Sequence, residues 1–161
     1  MPASRTLQDE IKQSKPFRSL EQEALLSIER TAAVLNHGVA DALRRYDITP
    51  TQYNVLRILR GAGERGLCRN DVRDRLVAQV PDVTRLLDRM EEMGLVERER
   101  AEQDRRMVFT RLTRKGGQLL ARLDEPVARL HHRQLGHLGA ASLRTLIDLL
   151  AEARHGAGSN E

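Results

Sequence analysis

The sequence predicts a mainly α-helical chain carrying one small β-hairpin. Apolar residues recur in steps of three and four over most of its length. The pattern shifts to alternation only in two short runs, 95–100 and 107–112. Aromatic residues make up 2% of the 161 positions and Trp is absent. A core must therefore come from Leu, Val, Ile and Ala, which suits packed helices better than a large sheet sandwich.

Residues 1–18 are polar, contain Pro2 and Pro16, and hold no sustained period, so they read as an N-terminal arm. Ser19 and Gln22 stand at capping-box spacing, with Glu21 and Glu23 in the turn that follows, and open a helix. Leu25, Ile28, Ala32, Leu35, Val39, Ala42 and Tyr46 then trace one face of a long helix that ends at Asp47 and Ile48. Thr49, Pro50 and Gln52 restart helix: Thr caps, Pro suits the first turn, and Gln reaches back. Val55, Leu56, Ile58 and Leu59 are its buried side, and Gly61, Gly63 and Gly66 break the chain after it.

A short helix is expected from Arg69 to Val77, with Val72 and Leu76 inward. After the connection Ala78–Val80, Pro81 and Asp82 start another, where a missing amide costs little and a carboxylate faces the positive end of the dipole. Val83, Leu86, Leu87, Met90 and Met93 form its buried stripe and Gly94 stops it. Leu95–Arg100 and Met107–Leu112 make the hairpin, with the charged stretch 101–106 at its tip. Thr113 caps the next helix, which runs through Leu119, Leu120, Leu123, Val127 and Leu130, and Pro126 should kink or divide it. Gly136 and Gly139 bracket a turn before a last helix over 140–153, and the small polar tail from His155 to Glu161 is expected to fray.

Net charge is +4, and 24 of the 27 basic residues are arginine, the side chain suited to bidentate contacts and narrow grooves. That composition permits nucleic-acid binding without specifying it. No apolar run approaches the roughly 20 residues that span a bilayer. The first 14 residues lack a secretory apolar stretch, and one Cys excludes an internal disulfide framework, so a cytoplasmic, membrane-free protein is expected.

The informative segment is short helix, tight turn, helix, glycine, charged hairpin. In a helix-turn-helix the second helix lies in the major groove while the first crosses the backbone. With Val83, Leu86, Leu87 and Met90 inward, the outward residues at 81–93 are Pro81, Asp82, Thr84, Arg85, Asp88 and Arg89. Arg85 and Arg89 are four apart and share a face, and an arginine there can grip guanine bidentately. Positions 98–115 hold seven basic residues (Arg98, Arg100, Arg105, Arg106, Arg111, Arg114 and Lys115) against Glu99, Glu102 and Asp104. A basic hairpin in that place suits a wing entering the minor groove, where negative potential attracts arginine. The expected partner is double-stranded DNA.

The run from Val80 to Arg98 (VPDVTRLLDRMEEMGLVER), then Asp104-Arg105-Arg106, then Leu112-Thr113-Arg114-Lys115-Gly116, closely resembles the MarR (multiple antibiotic resistance regulator) family. The likeness extends over about residues 19–153. It implies a winged helix-turn-helix with N- and C-terminal dimerisation helices, assembled as a triangular homodimer. The implied organisation is an arm at 1–18, a dimerisation helix at 19–48, a DNA-binding lobe at 49–115, C-terminal dimerisation helices at 116–154 and a flexible tail at 155–161. The implied function is a ligand-responsive repressor on a pseudo-palindromic operator, with the recognition helix at 81–93 and the wing at 95–112. By the same resemblance Arg106 is the wing arginine of the minor groove and Asp104 the acid that braces it. Relatives often take anionic aromatic effectors in a crevice, and His37, Arg45, Tyr46, Tyr53 and Arg57 lie on segments that line one. Three positions depart from the pattern: Pro81-Asp82 replaces the commoner Ser-Thr, and Arg73 stands where a small residue is usual and is expected to face phosphates.

Other signals carry less. Cys68 beside Arg69 reads as a small buried filler rather than a redox sensor. His131 and His132 diverge by about 100° on a helix, and with His137 they lack the i, i+4 spacing of a helical zinc site, so no metal is expected. No phosphate loop, paired-carboxylate motif or nucleophile elbow points to catalysis, and no cofactor is expected. A small metal-dependent enzyme and a helical dimerisation adaptor without DNA binding are the alternative readings.

Overall fold

The computed structural model describes residues 6–100 and 107–158. Helices α1 (Leu7–Glu10), α2 (Leu20–Arg44) and α3 (Pro50–Ala62) lead through a 3-10 turn (Gly63–Arg65) into strand β1 (Leu67–Cys68). Helices α4 (Arg69–Arg75) and α5 (Val83–Glu92) precede strands β2 (Val96–Arg100) and β3 (Val108–Leu112). Helix α6 (Arg114–Leu135), a second 3-10 turn (Gly136–Leu138) and α7 (Gly139–Gly158) complete the chain. Among the described residues no helix is long and apolar enough to cross a membrane.

The caps read from the sequence set the helix starts. Ser19 accepts from the Gln22 amide at 3.2 Å, while the Gln22 side chain turns back to the Arg18 amide at 2.8 Å. Thr49 and Gln52 close both halves of a capping box at 3.2 and 2.9 Å. Thr113 accepts from the Gly116 amide at 3.0 Å. Each such cap satisfies an orphan amide and stabilises by about 1 kcal/mol.

One core gathers Leu43 and Ile48, the inner faces of α3 to α5, the start of β2 and the first half of α6. Leu43, Val55, Leu56, Val72, Met90, Leu120 and Leu123 are wholly inaccessible to solvent, and each buried side chain of this size is worth about 1.5–3 kcal/mol. The antiparallel sheet has the order β1-β3-β2, pairing Leu67 with Thr110 and Arg98 with Thr110 from opposite sides. Helix α7 packs mainly against the 3-10 turn that precedes it and contributes nothing to the buried core.

Several expectations need correction. The sheet has a third strand, β1, too short at two residues to display a period. Of the two outcomes expected at Pro126, division does not occur: helix α6 continues through it, with Leu123, Val127 and Leu130 buried on either side, although a proline forfeits one backbone hydrogen bond. Gly61 lies inside α3, so the break comes later, at Gly63 and Gly66 with φ of 63° and 67°. Residues 155–158, expected to fray, extend α7, because lengthening an existing helix costs little once it is nucleated. The arm holds one helical turn, α1, with a Thr6–Asp9 capping box and an ion pair of 3.6 Å from Glu10 to Arg30 on α2. Leu25 and Ile28, on the apolar face traced along α2, are 57% and 43% exposed in the single chain.

Candidate nucleic-acid interface

Helices α4 and α5 meet across the turn 76–82. Helix α5 begins at Val83, two residues later than the sequence suggested, and Asp82 is its cap, with its carboxylate accepting from the Arg85 amide at 2.9 Å. Pro81 therefore stands outside the helix. Val83, Leu87 and Met90 face the core, so Thr84, Arg85 and Arg89 are exposed and Asp88 is half-exposed.

The outward polar residues are not equivalent. Thr84 Oγ1 accepts from Arg69 Nη1 of α4 at 3.3 Å. Asp88 is paired with Arg98 of β2. The side chains of Arg85 and Arg89 make no hydrogen bond or ion pair among the described residues, and these two arginines remain available to an external partner. Arg73 is exposed as expected, with Nε 2.9 Å from the neighbouring Asp74.

The wing is joined to α5 by a tight helix end. Gly94, at φ 69°, closes a Schellman turn in which the Gly94 amide donates to the Glu91 carbonyl at 2.8 Å and the Leu95 amide to Met90 at 3.0 Å. Thr113 Oγ1 donates to the Gly94 carbonyl at 2.7 Å, and Lys115 Nζ donates to the Met93 carbonyl at 2.7 Å. Lys115 thus serves the negative end of α5, a different task from the wing charge to which the sequence assigned it.

Among the described residues of the wing, Arg98 is the most engaged cation. Its Nε and Nη2 lie 2.9 and 2.6 Å from Glu91 Oε2, and Nη2 lies 2.5 Å from Asp88 Oδ1. Hydrogen bonding to Glu91, reinforced by Asp88, holds its guanidinium above the usual arginine range against the opposing effect of burial. Arg111 pairs with Glu99 across the strands. Arg100 is exposed at the end of β2 opposite Val108. Asp104, Arg105 and Arg106 lie outside the described residues.

The five effector candidates fall into separate groups. Arg45 sits over the Tyr46 ring at 5.2 Å and Arg57 over Tyr53 at 6.0 Å. Burial raises the Tyr53 phenol above its ordinary value, with Arg57 opposing. His37 instead points to solvent beside Asp41, at 3.3 Å. Cys68 is only half-buried, a correction to its reading as buried filler, and its thiol donates to Asp71 at 3.1 Å. His131, His132 and His137 are exposed, and no group of three or more metal-ligating side chains is assembled among the described residues.

Sequence reasoning missed three participants: Arg69, which holds Thr84; Glu91, which holds Arg98; and Lys115 as a helix cap. Only Glu91 left a trace, since its i, i+3 relation to Asp88 puts both carboxylates on one face.

The comparisons agree with this geometry. The profile of the MarR family matches residues 46–107. The HTH-type transcriptional regulator FarR of Neisseria gonorrhoeae is 32% identical over 110 residues, 68% of this chain and 74% of that protein. The crystal structure of a MarR transcription factor from Planctomyces limnophilus is 41% identical, with a TM-score of 0.65, covering 84% of this chain and 98% of that one. The crystal structure of a mutant MarR from E. coli complexed with operator DNA is 26% identical with a TM-score of 0.74, covering 91% of this chain and 97% of that one. With the winged helix in place and relatives that span it at these identities, the chain belongs to the MarR family of transcriptional regulators.

Proposed function

We propose that this regulator binds duplex DNA as a homodimer, placing α5 of each protomer in successive major grooves of a pseudo-palindromic site about one helical turn apart. The observation that carries this reading is the pair Arg85 and Arg89, four residues apart on one exposed helix face and free of protein partners among the described residues. Each suits a guanine edge, worth about 1–3 kcal/mol of discrimination. Arg100 is exposed at the end of β2, and the family resemblance assigns Arg105 and Arg106 of the wing sequence to DNA, Arg106 to the minor groove and Asp104 to bracing it. A homodimer is supported by the uncovered apolar residues Leu20, Leu25 and Ile28 of α2 and Ile147 and Leu149 of α7.

The regulator acts as a repressor whose effector, a small anionic aromatic compound, shifts the spacing of the two lobes out of register with the site. Arg45 with Tyr46 and Arg57 with Tyr53 supply the guanidinium and ring surfaces such a compound needs, with His37 on α2, the helix that Arg45 caps. No catalytic step enters this reading.

Fluorescence anisotropy with the DNA upstream of the protein's own gene, against shuffled DNA over a salt series, tests it. Tight, selective and salt-sensitive binding supports a regulator at its own promoter. Equal weak binding to both duplexes leaves either an operator elsewhere or the dimerisation adaptor, which Arg106→Ala separates because an adaptor's DNA affinity would not change.

A further inference from the structure

Resting on the reading that α5 enters DNA, we propose that Arg98 is a positioning residue that ties the wing's first strand to the recognition helix through Asp88 and Glu91. It thereby withdraws Asp88 from the base-reading set and leaves reading to Arg85 and Arg89.

The geometry is a three-point fixture. Asp88 and Glu91 are one helical turn apart on α5 and present their carboxylates to the same side. Arg98 sits on the inner face of β2, paired in register with the buried Thr110. Its guanidinium meets Glu91 through Nε and Nη2, and Asp88 through Nη2. Strand β2 is an edge of the sheet, so alternate amides have no strand partner. The Arg98 amide is one of these, and it donates to Glu91 Oε1 at 3.2 Å. Side chain and backbone of one residue are thus held by one helix face, which restrains both rotation and sliding of β2 along α5.

The Arg98 side chain is 25% exposed, against 46% for Asp88 and 39% for Glu91. The cation is the least accessible member, which is the reverse of what a phosphate contact needs. Lysine cannot reproduce the arrangement, because a single ammonium lacks the planar fork that spans two carboxylates. As a point charge beside a phosphate, lysine would serve well.

The test has one arm without DNA and one with it. In the first, amide hydrogen exchange over 96–100 is compared between wild type and Asp88→Ala, Arg98→Gln and Arg98→Lys. Exchange in β2 should quicken about tenfold in each variant while the α3 amides keep their protection. Unchanged exchange overturns the proposal. In the second arm, the probe is a duplex that the wild type selects from a randomised pool. Arg98→Gln, Arg98→Lys and Asp88→Ala should each bind about tenfold more weakly, and the Asp88→Ala/Arg98→Gln double variant no more weakly than Arg98→Gln alone. The salt dependence should keep the wild-type slope. A slope shallower by about 1 in Arg98→Gln, or wild-type affinity in Arg98→Lys, makes Arg98 a phosphate contact and overturns the proposal. So does tighter binding by Asp88→Ala, the mark of a bystander carboxylate, or altered preference at one base pair in both backgrounds. If the wild type selects no duplex, the DNA-binding reading falls, and the exchange arm alone decides whether Arg98 holds the wing.

Discussion

Arg60 of α3 reaches Asp124 of α6, its Nη1 lying 2.7 and 3.0 Å from the two carboxylate oxygens, and so joins the lobe that carries the wing to the long C-terminal helix. Hydrogen bonding by Arg60 lowers the Asp124 carboxyl below its ordinary value, and burial only partly opposes this. A lowered carboxylate stabilises the fold fully above its unfolded value, and the contribution is lost as pH falls through the folded one. Both side chains are 47% exposed, so the pair is worth about 0.2–1 kcal/mol. Asp124→Asn should therefore unfold at a slightly lower urea midpoint than wild type at pH 7. The gap should shrink in high salt, start to narrow only below the ordinary carboxylate value of about 4, and close once the pH has fallen through the lowered folded value. A gap that persists in acid where Asp124 is protonated in both states shows that the side chain acts through packing and not through its charge.

Gly116 and Gly117 should respond oppositely to alanine. A Cβ at Gly116 would stand 2.1 Å from the Leu95 carbonyl oxygen, a backbone atom that cannot step aside, whereas one at Gly117 meets nothing within 4 Å. Gly116→Ala must push α6 away from the start of β2 and should cost about 2–3 kcal/mol. Gly117→Ala removes only the entropy penalty of glycine in a helix and should gain about 0.5–1 kcal/mol. Urea titrations of the two variants check the sign of each.

These contrasts mark where the sequence is legible. Ser19, Thr49 and Thr113 announce their helices because a cap is a local device, complete within four residues. Strands β2 and β3 show as alternation because each spans five residues. Strand β1 has two, too few to alternate. Arg98 read as an outward wing cation because its partners, Asp88 and Glu91, face it only after the Gly94 turn folds the strand back onto α5. The period that traced Leu25 and Ile28 along one apolar face of α2 could not say that the single chain leaves them 57% and 43% exposed.

Under the proposed docking, the arginines of α5 and of the wing should give different signatures when replaced. Arg85 is exposed on α5 and is the proposed base reader, whereas Arg106 of the wing sequence is the proposed contact to groove walls and phosphates. Arg85→Ala should cost about 1–3 kcal/mol on the preferred duplex and less on duplexes altered at the contacted base pair, flattening preference there. Arg106→Ala should weaken binding to all of them by a similar factor and make the salt dependence shallower by about 1. Affinity measured over a set of single-base-pair variants separates the two. A uniform loss for Arg85→Ala would remove it from base reading.

Helices α2 and α7 leave apolar surface uncovered in the single chain. Ile147 and Leu149 on α7 are 61% and 58% exposed, and Leu20 and Leu25 on α2 are 81% and 57% exposed. None belongs to the buried core, whose buried apolar members among the described residues run from Leu43 to Leu130. Burying one such side chain in a dimer is worth about 1.5–3 kcal/mol, and placing a carboxylate there reverses the gain. Ile147→Glu combined with Leu149→Glu should shift sedimentation from dimer to monomer at micromolar concentration. The exchange protection of α3 and α5 should survive, because α7 contributes nothing to the core that shields them. Selective DNA affinity should fall steeply, since one lobe must then find its half-site alone. A variant that still sediments as a dimer would move the interface away from α7. Loss of protection in α3 together with the dimer would mean that the lobe depends on its partner to fold.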